Sequence, residues 1–256
     1  MLVAMRILLL NGNTGDDVTA LMMRRGGEAL PRLRLAHVEL VPATARFGAR
    51  YIATRAASAI AGHAVLELVA EHQDVDAIGI ACFGDPGLFA AREISRVPVR
   101  GMAEASIEAA LALAPRVALL TGGALWVPML EEFAALLGHS RETVMVRHVA
   151  PTGDMIARDP DGAIALLAEA ARGAIAEGAG AIVLGGAGLV GLAPRVADGL
   201  GVPVLDSLDC LLAACAKAAP TPPRDALPAP ASPSRGLAEP LRAALGKEMD
   251  AGFTAA

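Results

Sequence analysis

Apolar residues enter this chain in short unbroken runs separated by longer stretches of helical period. The runs Arg6-Ile7-Leu8-Leu9-Leu10, Ala77-Ile78-Gly79-Ile80, Val117-Ala118-Leu119-Leu120 and Ala181-Ile182-Val183-Leu184 are continuous rather than alternating. That is the pattern of parallel strands covered on both faces. Weaker strands are predicted around Leu35–Val41, Val97–Val99, Thr143–Val149 and Val202–Asp206. Between them the spacing predicts helices over about 17–30, 56–71, 86–95, 102–114, 127–137, 164–178 and 207–218, with another running through Val196. Residues 42–54 show no period, contain Arg46, Arg50 and Tyr51, and are read as a lid or flap.

The alternation runs through the chain twice. Arg6 before the first strong strand matches Arg116 before the third, a step of 110, and Val97-Pro98-Val99 is echoed by Val202-Pro203-Val204 at a step of 105. The predicted fold class is α/β: two pseudo-symmetric, doubly wound (Rossmann-like) lobes with parallel sheets, residues 1–114 and 115–218, with the active site in the cleft between them. Residues 219–256 form a tail. Its first part, Pro220 to Ser234, is crowded with Pro, Ala and Ser and reads as a flexible linker, and Leu237 to Met249 as a short terminal helix.

The candidate chemistry sits where strands end. Ala81-Cys82-Phe83-Gly84-Asp85-Pro86-Gly87 follows a buried strand and is expected to open a helix, with Asp85 as N-cap and Pro86 as the first helical residue. A thiol beside a helix N-terminus is expected to favour the thiolate. The repeat sets Cys82 opposite Gly186, at a step of 104. The loops Asn11-Gly12-Asn13-Thr14 and Thr121-Gly122-Gly123 end the two matching first strands and suit a carboxylate or enolate oxygen. Cys210 and Cys215 fall within a helical run and read as core or helix-surface residues.

Composition narrows the function classes. The 256 residues are 54% hydrophobic but only 3% aromatic, as helices on parallel strands require. A net charge of −5 without a Lys/Arg cluster argues against nucleic acid. Three cysteines, an odd number, point to free thiols in a reducing cytoplasm. The apolar start is too short for a signal peptide, and the uncharged stretch Gly178–Pro194 falls short of a membrane span. The histidines His37, His63, His72, His139 and His148 lack ligand spacing, so no metal site is expected. A rival signal is Gly186-Ala187-Gly188-Leu189-Val190-Gly191, which matches G-x-G-x-x-G with Asp206 at the next strand's end. It follows a predicted strand and precedes a predicted helix, the context of a dinucleotide-dependent oxidoreductase, although the unit sits in the last third of the chain with little left to complete a six-stranded dinucleotide domain.

The strand into Ala81–Leu88, the early Asn11-Gly12-Asn13-Thr14 and the strand into Leu184-Gly185-Gly186-Ala187-Gly188 resemble the Asp/Glu/hydantoin racemase superfamily, closest to the hydantoin racemases, over residues 5 to 217. The resemblance implies two pseudo-symmetric lobes and cofactor-independent proton transfer at a carbon next to a carbonyl. It also implies a pair of cysteines, one per lobe, serving opposite faces of the substrate. Cys82 would be the acid/base. Asn11, Asn13, Thr14, Phe83, Gly84, Thr121, Gly122, Gly186, Ala187 and Gly188 would contact a small-molecule substrate, namely a hydantoin, an amino-acid derivative or a substituted malonate. Assembly into a homo-oligomer stays open. The second cysteine's place is held by Gly186, so the single-thiol arylmalonate decarboxylases, which the family resembles, give an alternative reading, as does a catalytically silent small-molecule binder.

Overall fold

The computed structural model describes residues 4–149, 159–223 and 234–245. In the first half the elements are β1 (Met5–Asn11), α1 (Asp16–Arg32), β2 (Val38–Thr44), α2 (Arg55–Glu71), β3 (Ala77–Ile80), α3 (Leu88–Ile94), β4 (Val99–Gly101) and α4 (Met102–Leu111). The second half follows with β5 (Val117–Gly122), α5 (Trp126–Leu136), β6 (Val144–Val149), α6 (Pro160–Ala176), β7 (Ala181–Gly185), α7 (Ala193–Val196), β8 (Val204–Asp206) and α8 (Ser207–Ala218). A short α9 (Glu239–Ala244) lies in the tail.

Both halves build a four-stranded, wholly parallel sheet, in the orders β2-β1-β3-β4 and β6-β5-β7-β8. The repeat seen in the sequence is therefore a repeat of topology. In each order the direction of strand addition reverses between the first and third strands, so the loops after β1 and β3, and after β5 and β7, flank a switch-point crevice.

Strand composition explains the layering. Ile7 and Leu9 of β1 and Leu119 and Val183 of β5 and β7 share a single buried cluster between the sheets. Leu8, Leu10, Ile78 and Ile80 face the outer layer with α2 and α3, and Leu120, Ile182 and Leu184 face α6. Adjacent residues on one strand thus serve opposite layers, which is why the runs read as continuous.

The middle layer is α4 and α8, which pack on one another, and each also reaches across. The α4 helix contacts β7 and β5, while α8 contacts β3, β4 and β1. The Cys215 and Leu211 side chains close over Gly79 of β3. The last helix of each half in sequence therefore covers the sheet of the other half in space, and Arg32 adds a two-pronged ion pair to Asp209 at 2.6 and 3.0 Å.

Several boundaries move from their expected places, each for a local reason. The second strand extends to Thr44 because it pairs in register with β1 through Asn11. Pro42 is tolerated there because β2 is an edge strand. Instead of one helix through Val196, the chain after β7 makes a 3₁₀ turn (Ala187–Leu189) and then the four-residue α7. In the tail, α9 packs on α2 with Leu241 buried; the remainder of the expected terminal helix and residues 224–233 of the expected linker lie outside the described residues. Among the described residues no helix is long and apolar enough to cross a membrane.

Candidate active site

The first-half side of the site is held by two adjacent strand ends. Leu10 pairs with Ile80, and the Ala81 N–H donates to the Leu10 carbonyl at 2.8 Å. This puts the loop after β1 beside Cys82, with Gly12 lying against the Pro86 ring. Asn11 is fully buried, and its amide is spent inside its own loop. Its Nδ2 donates to Asn13 Oδ1, the Gly15 carbonyl and Thr19 Oγ1 at 3.0–3.1 Å, and its Oδ1 accepts from the Asn13 N–H. The expected substrate contact is therefore a brace that shapes the loop. Asn13 is half-buried, and its Oδ1 accepts from the Gly15 N–H at 2.8 Å. The Thr14 N–H is used by the Ala49 carbonyl at 3.2 Å, tying in the segment after β2.

The second-half side is built alike. Thr121, buried, pairs with Gly185, so the Thr121-Gly122 end of β5 adjoins the Gly185-Gly186 end of β7. The two sides are then locked together by aromatic rings placed against glycines. The ring of Phe83 lies on Gly185, where a Cβ would overlap it, and the ring of Trp126 lies on Gly84. Phe83, only 4% exposed, is thus a wedge between the halves and not an exposed substrate contact. Trp126 Nε1 donates to the Ile52 carbonyl at 3.1 Å, and Arg55 bridges to Glu132 at 2.5 and 2.6 Å. The segment expected as a flap is therefore pinned to the second half. Its Tyr51 hydroxyl lies 3.5 Å from the Gly122 carbonyl oxygen, at the outer limit of a hydrogen bond. Desolvation, and then the charge that Cys82 would carry, hold that phenol above its usual value.

Cys82 is half-buried at the centre of this arrangement. Its turn is closed by the Asp85 N–H donating to the Cys82 carbonyl at 3.0 Å. The helix that follows begins at Leu88, not Pro86, and its N-cap is Gly87 with no side-chain cap. Asp85 has instead turned away, with φ of 49°, and its carboxylate accepts from the Ala103 and Glu104 N–H groups of α4 at 2.9 and 2.8 Å. The short α3 helix thus starts later in the chain than expected, and a buried carboxylate stands in the turn beside the thiol. Desolvation, and then Asp85, push the Cys82 thiol up to about 12. Both causes disfavour the thiolate, against the direction expected from a helix N-terminus in the sequence.

Gly186 faces open space: nothing would meet a Cβ there within 4 Å, although its φ of 118° belongs to glycine. Ala187 is half-buried and Gly188 exposed in the 3₁₀ turn that follows. The glycine-rich stretch does not open a dinucleotide-binding helix, and Asp206 is not available to a ribose. Its Oδ1 caps α8 through the Leu208 N–H at 2.9 Å, and its Oδ2 accepts the Gly191 N–H. Cys210 and Cys215 are buried core residues of α8, both pushed up to about 12 by desolvation. Among the described residues no group of His, Cys, Asp or Glu is placed to hold a metal ion. An apolar groove of about 770 Å³ opens beside Gly84 and Pro86 between α2, α5 and α9, but contains none of Cys82, Asn13, Thr121 or Gly186.

The model of the Asp/Glu/Hydantoin racemase family matches residues 7–215, the span of both sheets. The chain belongs to this racemase family. It is 34% identical to the hydantoin racemase of Pseudomonas sp. (strain NS671) over 209 residues, 80% of this chain and 82% of that one. The allantoin racemase of Pseudomonas fluorescens superposes with a TM-score of 0.75 at 27% identity, covering 83% of this chain and 90% of that one. A variant of arylmalonate decarboxylase shares the fold, with a TM-score of 0.63 at 20% identity over 87% of this chain and 96% of that one. Within this racemase family framework, Tyr51, Trp126 and Asp85 are the site-shaping residues that local pattern did not single out for those roles. The signal for Asp85 was present as a carboxylate three residues after the thiol, but its partner lies on another helix.

Proposed function

We propose that this racemase-family enzyme moves a proton, without a cofactor, at a carbon made acidic by an adjacent carbonyl, with a hydantoin or related amino-acid derivative as substrate. The observation that carries this reading is the half-buried thiol of Cys82 at the switch-point end of β3, next to Phe83, whose ring lies on the matching strand end at Gly185. As base, the Cys82 thiolate takes the proton from carbon and leaves an enolate. As acid, the thiol gives a proton to that carbon. Asn13 Nδ2 and the polar end of β5 at Thr121 and Gly122 meet the carbonyl oxygen on which charge develops. Gly186, Ala187 and Gly188 leave room for the substituent or for a water on the second face. A reducing cytoplasm is the compartment this reading assigns, and the three free cysteines support it.

Two observations favour a second reading, proton delivery to one face only, as in a decarboxylase-type reaction. Gly186 supplies no second acid, and a thiol resting near 12 is protonated before substrate arrives. Incubation of single-enantiomer 5-substituted hydantoins and of arylmalonates in D₂O separates the two. Deuterium entry with decay of optical rotation means racemisation, and entry with rotation retained means one-face transfer. The proposal fails if neither substrate class exchanges or reacts.

A further inference from the structure

Asp85 is a buried carboxylate that the reaction outlined above does not use, and its surroundings are unusually specific. It takes up a left-handed backbone conformation, with φ of 49°, that few residues other than glycine, Asn and Asp accept readily. That conformation directs the side chain out of its own helix start and onto the first N–H groups of α4, at Ala103 and Glu104. The N-cap of α4 is Gly101, which has no side chain to offer. A Cβ at Gly101 would overlap the Asp85 carboxylate, and the three nearest atoms it would meet all belong to Asp85. Asp85 thus occupies the place that a capping side chain of α4 would fill. In the second half the equivalent cap is made by Asp206 from the helix's own N-cap position. Capping alone therefore does not require a residue in the cysteine turn.

What the borrowed cap adds is a tether. One end of Asp85 is its N–H on the Cys82 carbonyl, and the other is its carboxylate on α4, the helix that covers the second sheet. We propose that Asp85 is a positioning residue for Cys82, fixing the thiol turn to the layer shared by both halves and keeping a carboxylate next to the thiol. This rests on the reading of Cys82 as the acid/base. The charged and titratable groups around the tether are Cys82 and Asp85 in the turn and Glu104 on α4. Arg92 of α3 pairs with Glu104 at 2.6 Å and Arg100 of β4 lies 3.6 Å from it, while Tyr51 faces Cys82 from the segment after β2. Arg92 is thus paired with Glu104, and Arg100 with Glu108 of α4, so the contacts of both arginines go to glutamates of α4 and not to Asp85. Burial pushes Asp85 up to about 7, so its charge develops as pH rises through that value.

The test uses two variants of the full chain and two readouts, one of which needs no substrate. Asp85→Asn keeps the shape and one acceptor but removes the charge. Asp85→Gly combined with Gly101→Asp moves the carboxylate to α4's own N-cap, where φ of −97° and ψ of 149° accept any residue. The rate of Cys82 alkylation by iodoacetamide is followed against pH in variants that retain the other two cysteines. The expected result for Asp85→Asn is an alkylation profile moved down by about one pH unit, hence about tenfold faster at a fixed pH below the midpoint. Its kcat is expected to fall about tenfold or more with KM little changed. The relocated pair recovers the melting temperature lost in Asp85→Gly alone, while its alkylation profile and kcat remain altered. The proposal is overturned if Asp85→Asn leaves the alkylation profile at its wild-type position, or if the relocated pair restores profile and kcat together, since Asp85 would then be only a helix cap. Failure of the reading beneath it looks different: Cys82→Ala would keep its activity whatever the alkylation data show.

Discussion

The turns after β3 and β7 occupy matching places in two sheets of the same order, yet they share almost no chemistry. The first turn carries a thiol, an aromatic wedge and a carboxylate in four consecutive residues, Cys82 to Asp85. The second presents Gly185, Gly186, Ala187 and Gly188, and receives what the first turn and its own α8 send: the Phe83 ring on Gly185 and the Asp206 carboxylate on the Gly191 N–H. Even the tether to the middle layer is reversed, running from turn to helix in the first half and from helix to turn in the second. Duplication has kept the backbone frame and divided the work, with reactive groups on one side and space on the other.

The comparison can be broken most directly at its reactive side. Cys82→Ala should lower the exchange of substrate carbon-bound hydrogen for deuterium, read by loss of the proton NMR signal, by about 10²–10⁴-fold or to background. The circular dichroism spectrum should be unchanged. Retained exchange would show that the two turns do not differ in the way described. The next largest effect is expected on the receiving side. Gly185→Val forces the Phe83 ring out of its seat, and overpacking of this kind costs about 1–3 kcal/mol or more, read as a lower urea midpoint with activity lost alongside.

Gly186→Cys tests whether the empty position faces the thiol. The site has space, but φ of 118° strains any side chain by about 1–3 kcal/mol. The expected outcome is a lower melting temperature together with faster decay of optical rotation than in the parent. A variant that folds and shows no gain in racemisation argues that the positions are not opposed. Gly188→Ala, with open space and no left-handed backbone, should change stability by no more than about 0.5 kcal/mol and marks the floor of the series.

A pH experiment sharpens the same contrast. Asp85 is raised to about 7 by burial, so the folded state holds a proton that the unfolded state has released once pH exceeds its ordinary carboxylate value. Its contribution to stability is therefore largest at low pH and declines as pH rises through about 7. Urea midpoints measured from pH 5 to 8 should show a decline that Asp85→Asn flattens. A wild-type and variant pair with parallel profiles would remove Asp85 as its source.

Much of this was legible in the chain. The unbroken apolar runs marked the central strands, the nearly equal steps marked the repeated topology, and the chain's order placed Cys82 at the end of a strand. The glycine at 186, at the end of the matching strand, was legible for the same reason: residue identity and spacing along one strand and its loop are local facts. Asn11 and Phe83 were identified as site residues, but their roles were not readable, since one is consumed by bonds within its loop and the other by a glycine about a hundred residues away in sequence. The glycine-rich stretch resembled a dinucleotide loop until it led into a 3₁₀ turn and a four-residue helix.

The sequence by itself thus determined the strands, the double winding and the identity of the thiol, because periodicity and turn chemistry act over a few residues. Only the tertiary structure decided that α4 and α8 each cover the other half's sheet, that Asp85 caps a helix beginning at Met102, and that burial and Asp85 disfavour the thiolate. Those outcomes depend on which groups approach through space and on how much water they exclude. Neither is written in the spacing of residues along the chain.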